Sequence, residues 1–298
     1  MNGELEQRVA AMLMRDVHPA VATQGSILGE EAGALAVLFY GSNLRTGSLE
    51  GVLDYYVLVP GPPERGLWPR VAYREWDHDG VRLRAKIATV TLEKFAAAAA
   101  GETIDTTIWA RFVQPSALVW QREEAVGAAI VSAIAGASRT AARLAAALGP
   151  PQGIPDAYWR ALFRATYRAE LRVEPAGRED AILSANREHF DGLLAVALGS
   201  AGIPYAEDGA TLRPQMPASE RRRVLRWWRI RRRLGKPLNA ARLVRAAGTF
   251  EGAARYAAWK IERHTGVAVE LTPWREKHPV LAAPGVLWSI WRRRKATS

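Results

Sequence analysis

The chain contains no cysteine among its 298 residues. Disulfides, thiolate metal sites and cysteine nucleophiles are thereby excluded, and a reducing compartment is compatible with that absence. Histidine is scarce too: His18, His78, His189, His264 and His278 are scattered and show no metal-ligand spacing. There is no uninterrupted apolar run of about 18 residues, so no transmembrane helix is expected. The start, Met1 to Gln7, carries acid rather than base and no apolar core run, so no secretion signal is expected. Neither a Ser/His/Asp elbow nor a GxxxxGK[ST] phosphate loop occurs, which sets aside those hydrolase and P-loop classes. Internal repeats are absent.

What is present is ample apolar residue, at 49%, and more length than one typical domain needs. Lys and Arg number 41 against 30 Asp and Glu, a net charge of +11. The excess is concentrated. Arg221, Arg222, Arg223, Arg226, Arg229, Arg231, Arg232, Arg233 and Lys236 crowd one stretch, and Arg292, Arg293, Arg294 and Lys295 lie near the end. Two readings stand: a surface for a polyanion such as nucleic acid or acidic lipid, or a solvated Arg-rich face.

Hydrophobic periodicity places strands at 35–41, 54–60, 80–90 and 118–120. Helices are expected at 3–15, from Thr91 to Gly101, and at 123–148, where Gly149, Pro150 and Pro151 stop the chain. More helices follow at 155–172, 178–198, 218–234 and 238–264. The expected class is α/β in front and mostly α behind.

The segment Ala36 to Val59 carries the most specific signal. A buried strand ends in Tyr40-Gly41-Ser42, and a second apolar strand opens at Asp54. Free backbone N–H groups of such a turn, with the Ser hydroxyl, can grip a triphosphate, and the Asp can hold Mg²⁺. Nucleotidyl transfer needs positioning and charge neutralisation rather than covalent help. Many such enzymes place two carboxylates two residues apart on the second strand. Here the position after Asp54 in that pattern is Tyr56. Three explanations remain open: a second ligand elsewhere (Asp77, Asp79 or Glu93), one carboxylate plus substrate oxygens, or a chain without catalysis. Lys86, in an apolar strand, and Arg111, ahead of a Pro-bounded turn, are candidate phosphate contacts. A snorkelling lysine and a helix-end ion pair are the structural alternatives.

In order, these pieces resemble the mitochondrial-type CDP-diacylglycerol synthases, the translocator assembly and maintenance family of phosphatidate cytidylyltransferases. Tyr40-Gly41-Ser42 and Asp54-Tyr55-Tyr56-Val57 match the family's Tyr-Gly-Ser turn and single Asp. Lys86 matches its strand lysine, and Trp109 to Pro115 its Ala-Gly-Arg-Leu-x-Lys-Pro segment, with Gln114 in place of Lys. Thr166 to Arg172 echoes Ser-Tyr-x-Gly-Asp-x-Arg, with Ala169-Glu170 in place of Gly-Asp. Arg242 to Gly252, followed by Tyr256 to Lys260, resembles a late Thr-Phe/Gly-rich segment. The resemblance covers roughly residues 30–265.

The resemblance implies a nucleotidyltransferase-fold mixed-sheet domain over 1–122, a mostly helical, winged-helix-like domain over 123–217, and a basic amphipathic membrane-associating region over 218–298. It implies a Mg²⁺-dependent enzyme making CDP-diacylglycerol, or a related CDP-lipid, and pyrophosphate from CTP and phosphatidate. Asp54, Lys86 and Arg111 would be catalytic, and Asp54 and Ser42 would hold the metal. Tyr40, Gly41, Ser42, Lys86, Tyr167 and Arg172 would contact the nucleotide. The expected partners are CTP, an acidic phospholipid and an anionic membrane surface, with no obligate nucleic acid. The expected location is cytoplasmic, on the inner face of the cytoplasmic membrane, held there by the Trp/Arg segments 221–234 and 286–295. The rivals are a nucleotidyltransferase acting on RNA or protein, and a non-catalytic relative of the fold.

Overall fold

In a computed structural model of the chain, the described residues are 3–170, 177–249, 252–265 and 269–277, with Ala282 and Gly285. Five segments, β1 (Ala36–Tyr40), β2 (Leu53–Val59), β3 (Arg70–His78), β4 (Val81–Thr91) and β5 (Ser116–Gln121), form one mixed sheet in the order β3-β4-β2-β1-β5. β2 and β4 run parallel; the other neighbours are antiparallel. Successive side chains alternate between the two faces, so each strand feeds two cores. Leu53, Tyr55 and Val57 join Val37, Phe39, Ala85 and Ile87 in a smaller cluster. Tyr56, Leu58, Leu38, Ala88 and Val90 enter the larger one.

Helix α1 (Glu4–Leu13) belongs to the larger core, and α2 (Pro19–Glu31) covers the smaller. Gly25 and Gly29 let α2 lie directly on β5. A Cβ on Gly25 would meet Val119 Cγ2 at 2.6 Å, and one on Gly29 would meet the Trp120 ring at 2.4 Å. On the other face, after the short α3 (Ser42–Thr46), come α4 (Leu92–Ala99), α5 (Thr107–Phe112) and the central α6 (Glu124–Leu148). Among the described residues α6 is the one helix long and apolar enough to cross a bilayer. It is here a core helix, packed by α1, α4 and α5 and by the later helices.

The back half continues through α7 (Pro155–Ala169), α8 (Arg178–Ala185), α9 (Arg187–Phe190) and α10 (Leu193–Ser200). A hairpin, β6 (Tyr205–Asp208) and β7 (Thr211–Pro214), precedes α11 (Ala218–Thr249), α12 (Ala253–Thr265) and α13 (Pro273–Lys277). Trp159 and Phe163 of α7 close on Phe190, and Trp227 and Trp228 of α11 close on Trp109, with ring centres 5.9 and 6.2 Å away. One hydrophobic core thus runs without interruption from Leu5 to Trp228.

The chain is a mixed α/β protein with a five-stranded sheet in its N-terminal half and a mostly helical remainder. Several elements differ from the sequence expectation. β3 reads as charged because it is an edge strand, with Arg70 and Arg74 exposed. α2 hides behind its two glycines, which lower helix propensity but permit close packing. The expected 178–198 helix is three pieces, broken at Asn186 and at Gly192, whose φ is +67°. The expected stop before Pro237 is absent, and α11 runs through that proline; the break comes at Gly252, with φ +77°. Arg172 and the segment 286–295 lie outside the described residues.

Candidate functional site

One row of paired residues crosses the sheet: Tyr73 on β3, Lys86 on β4, Asp54 on β2, Tyr40 on β1 and Ser116 on β5. Paired residues point to the same face, so Asp54 and Lys86 stand side by side, on strands about 4.8 Å apart. Both are half-buried. β1 ends at Tyr40, and the chain then turns over the row at Gly41, with φ +96°. A Cβ there would be strained by the backbone and would meet Asp54 Oδ2 at 3.1 Å. Glycine is therefore needed for the turn to rest on the carboxylate. It caps α3 without a side-chain hydrogen bond, while Ser42 beside it is exposed. Buried Asn43 holds the following loop in place, its Nδ2 donating to the carbonyls of Ser48 (2.8 Å) and Glu50 (2.7 Å).

The structure explains why Tyr56 stands where a second carboxylate is often found. Its side chain is 1% exposed, in an aromatic cluster with Tyr40, Phe95 and Phe112. A carboxylate there would be buried among rings. The Tyr56 phenol, whose pKa burial raises, instead accepts a hydrogen bond from Arg111 Nη1 at 3.3 Å. Arg111 also lies over the Tyr40 and Tyr56 rings, 5.1 and 5.8 Å from their centres. Burial opposes its charge, but Tyr40, Tyr56, Glu170 and Asp54 outweigh that and raise its pKa. Arg111 is thus a retained cation beside the row.

Behind Arg111 lies a set of buried polar groups. Asp105, 3% exposed, accepts from Thr107 N at 2.9 Å and Thr107 Oγ1 at 2.8 Å, and pairs with Arg242 Nη2 at 2.9 Å. Glu170, also buried, accepts from Thr106 Oγ1 at 3.2 Å. The sequence reading noticed Glu170 but missed Asp105. A faint signal for it exists, since an Asp two residues before a helical segment favours a turn closed by its own side chain.

From the other side, the late segment returns to the row. Tyr256 of α12 packs on Tyr73 with ring centres 5.3 Å apart and stacks with Trp259 at 6.2 Å. Its phenol pKa is raised by burial and then by the charge of Asp54, so α12 reaches the neighbourhood of that carboxylate. Tyr167, on α7, falls in the electrostatic neighbourhood of Arg45, three residues past Ser42. Of the expected site residues, Tyr40, Gly41, Ser42, Asp54, Lys86 and Arg111 therefore converge.

Asp77 and Asp79 do not join this group. Asp77 sits four positions along β3 from Tyr73, about 13 Å at ~3.3 Å per residue, and pairs with Arg82 Nε at 3.3 Å. Asp79 lies in the hairpin turn beyond it. Glu93 is an exposed residue of the first turn of α4. Among the described residues no three His, Asp or Glu side chains gather as a metal site. Mg²⁺ asks for less, because it keeps several waters and takes one or two carboxylates plus substrate oxygens. Half-buried Asp54, with the exposed Ser42 hydroxyl on the adjoining turn, is a hard-oxygen donor set of that kind.

Compared with known proteins, the chain matches no family model and no curated protein.

Proposed function

We propose that this chain is a nucleotidyltransferase that moves a cytidylyl group from CTP to phosphatidate or a related acidic phospholipid, releasing pyrophosphate. The observation that carries the reading is the row itself: Asp54 beside Lys86, under a glycine turn at which an added Cβ would stand 3.1 Å from the carboxylate, with the Arg111 cation alongside. On this reading the sheet domain is a nucleotidyltransferase fold, and α6 to α10 with the β6–β7 hairpin form the winged-helix-like part.

Each residue has a task that follows from its place. The N–H groups at the start of α3 and the Ser42 hydroxyl hold the β- and γ-phosphates. Asp54 and Ser42 supply oxygens for Mg²⁺, which when bound offsets charge on the phosphates. A phosphate oxygen of the lipid attacks the α-phosphorus, and the bond from that phosphorus to the β-phosphate bridging oxygen breaks. Negative charge grows on the leaving pyrophosphate, and Lys86 and Arg111 are already oriented to meet it. Tyr56 keeps the Arg111 guanidinium in place.

The outer face of α11 supports membrane association. Its tryptophans are engaged inside the protein, but Arg222, Arg226, Arg229, Arg233 and Lys236 are exposed along one side. Ile230 and Leu234, 48% and 41% exposed, flank them. Each such base adds on the order of 1 kcal/mol against an anionic bilayer. The proposed location is accordingly cytoplasmic, peripheral to the membrane's inner face. Flotation with anionic vesicles, set against an RNA gel shift at matched salt, separates lipid from RNA as the partner.

The direct test incubates purified protein with Mg²⁺, a panel of nucleoside triphosphates and phosphatidate vesicles. Pyrophosphate release and a CDP-lipid mass are expected with CTP. Binding of CTP without product from any lipid acid would end the proposal.

A further inference from the structure

Helix α11 has two basic sides, and the fold accounts for only one. Facing the protein, its donors meet helix ends. Arg221 Nε donates to the Ala147 carbonyl, in the last turn of α6, at 3.0 Å. Trp227 Nε1 and buried Arg231 Nη2 both donate to the Gly101 carbonyl just beyond α4, at 3.0 and 2.7 Å. Gly235 lets the helix pass the end of α7, where a Cβ would meet the Ala169 carbonyl oxygen at 2.5 Å. Arg242 then pairs with Asp105 at 2.9 Å. Helix C-termini carry partial negative charge, so the inward bases are matched.

The outer side is not matched. Arg222, Arg226, Arg229, Arg233 and Lys236 alternate four and three residues apart, which puts them within about 40° of one line, roughly 21 Å long. All five are exposed, and among the described residues none makes a hydrogen bond or ion pair. Like charges at this spacing repel and weaken a helix. Pro237, directly after the stripe, weakens it again, because it has no N–H for the Arg233 carbonyl. Yet the stretch from Arg231 to Arg242 carries both grips on the 101–105 turn, which leads into α5 and Arg111.

We propose that an anionic bilayer supplies the counter-charge, and that docking on it consolidates α11, secures Arg242 on Asp105 and so steadies Arg111. A charged surface binds the stripe best when the helix lines its bases up, so by linkage it favours the helical, seated form. A bilayer suits this surface better than RNA, because Ile230 and Leu234 beside the stripe, and Ile104 in the gripped turn, are exposed and apolar. The choice of a bilayer rests on the membrane reading above; the link from the stripe to the 101–105 turn does not.

Hydrogen exchange on the full chain tests it without turnover. The probes are phosphatidylcholine vesicles with and without phosphatidylglycerol, and a single-stranded RNA oligomer. Anionic vesicles should slow amide exchange severalfold in buried α5 as well as in α11, and neutral vesicles and RNA should not. Arg226→Gln, Arg229→Gln and Arg233→Gln combined should weaken vesicle binding at least tenfold and abolish the effect at α5. Because repulsion is relieved, that variant should melt no lower than the parent protein. Asp105→Ala with Arg242→Met cuts the link without leaving a buried charge; it should bind vesicles as the parent does, yet show no slowing at α5. The inference is overturned if the parent ignores anionic vesicles, or if they bind without slowing exchange at α5. It is overturned equally if the slowing survives in either combined variant, or if RNA alone produces it. Vesicle-dependent slowing in a protein that makes no CDP-lipid would retain the coupling and reject the lipid activity. CDP-lipid formation with unaltered exchange would do the reverse.

Discussion

Two acid–base pairs lie on the same side of the sheet, and they are built differently. Asp105 and Arg242 are sealed, with side chains 3% and 16% exposed. Asp105 is satisfied by a backbone N–H, a hydroxyl and a guanidinium. Asp54 and Lys86 are half-buried neighbours on parallel strands, with a bare glycine backbone pressed against the carboxylate. In the first pair the Asp105 carboxylate is satisfied within the protein, although Arg242 Nε is buried without a partner among the described residues, and the pair acts as a strut under α5. The second is only partly buried, and on the proposed reading a phosphate reaches it. On that reading, similar chemistry serves structure in one place and reaction in the other, and the difference is access.

The widest separation between the pairs should come from Asp54→Asn. Transfer is expected to fall about a thousandfold or more, roughly 4 kcal/mol of lost transition-state stabilisation, while the urea midpoint stays near the parent value. Steady-state kinetics and denaturation curves on the same preparation check both halves, and full activity would remove Asp54 from the mechanism. Asp105→Ala should do the opposite. It strands Arg242 in the interior and should cost about 3–5 kcal/mol of stability. Adding Arg242→Met should return much of that loss; a double variant no more stable than the single one would deny that the pair is a strut.

A third prediction concerns pH. His189 ties α9 to the turn after Arg111, its Nε2 standing 2.8 Å from the Val113 carbonyl oxygen. Burial, above all, lowers its pKa from 6.5 to about 4. A depressed folded pKa means that the unfolded chain binds the proton more readily between those values. The contribution is therefore intact above pH 6.5, declines as pH falls towards 4, and changes little further below that. On the order of 2–3 kcal/mol should disappear across the window, and His189→Gln should flatten the urea-midpoint profile there. The smallest effect is expected from Tyr56→Phe. It removes one hydrogen bond to Arg111, about 1 kcal/mol, and should lower kcat severalfold with little change in KM. An unchanged kcat would mean that Arg111 is held by the rings alone.

The legible part of the site is the part written in local pattern. Alternation fixes which residues of β2 share a face, so Asp54 can be read as a partner of the Gly41–Ser42 turn before any coordinates exist. Lys86 was visible because a cation in an apolar strand breaks the pattern. Asp105 with Arg242 left no comparable mark, since a pairing across 137 positions has no period. Helix α11 was ambiguous for a different reason. Tryptophans interleaved with arginines define an amphipathic helix, but the pattern does not say whether the apolar side meets lipid or protein. Here Val224, Trp227 and Trp228 meet Trp109 and its surroundings, and the basic side remains outside. Edge strand β3 escaped because outward charge, which guards an edge, also erases the strand's alternation.

The Arg242–Asp105 strut has a consequence for synthesis on the ribosome. Chains emerge from the N-terminus at roughly 5–20 residues per second, so Asp105 waits on the order of ten seconds for the residue that neutralises it. During that interval Asp105, at the entry to α5, has its Thr107 partners but not its Arg242 cation. The aromatic contact from Tyr256 onto Tyr73 arrives later still. A nascent or prematurely terminated chain therefore carries the turn and the carboxylate without the supports that orient them. On the proposed reading, the order of translation acts as a timer, delaying a finished reaction centre until Arg242 and Tyr256 have been made.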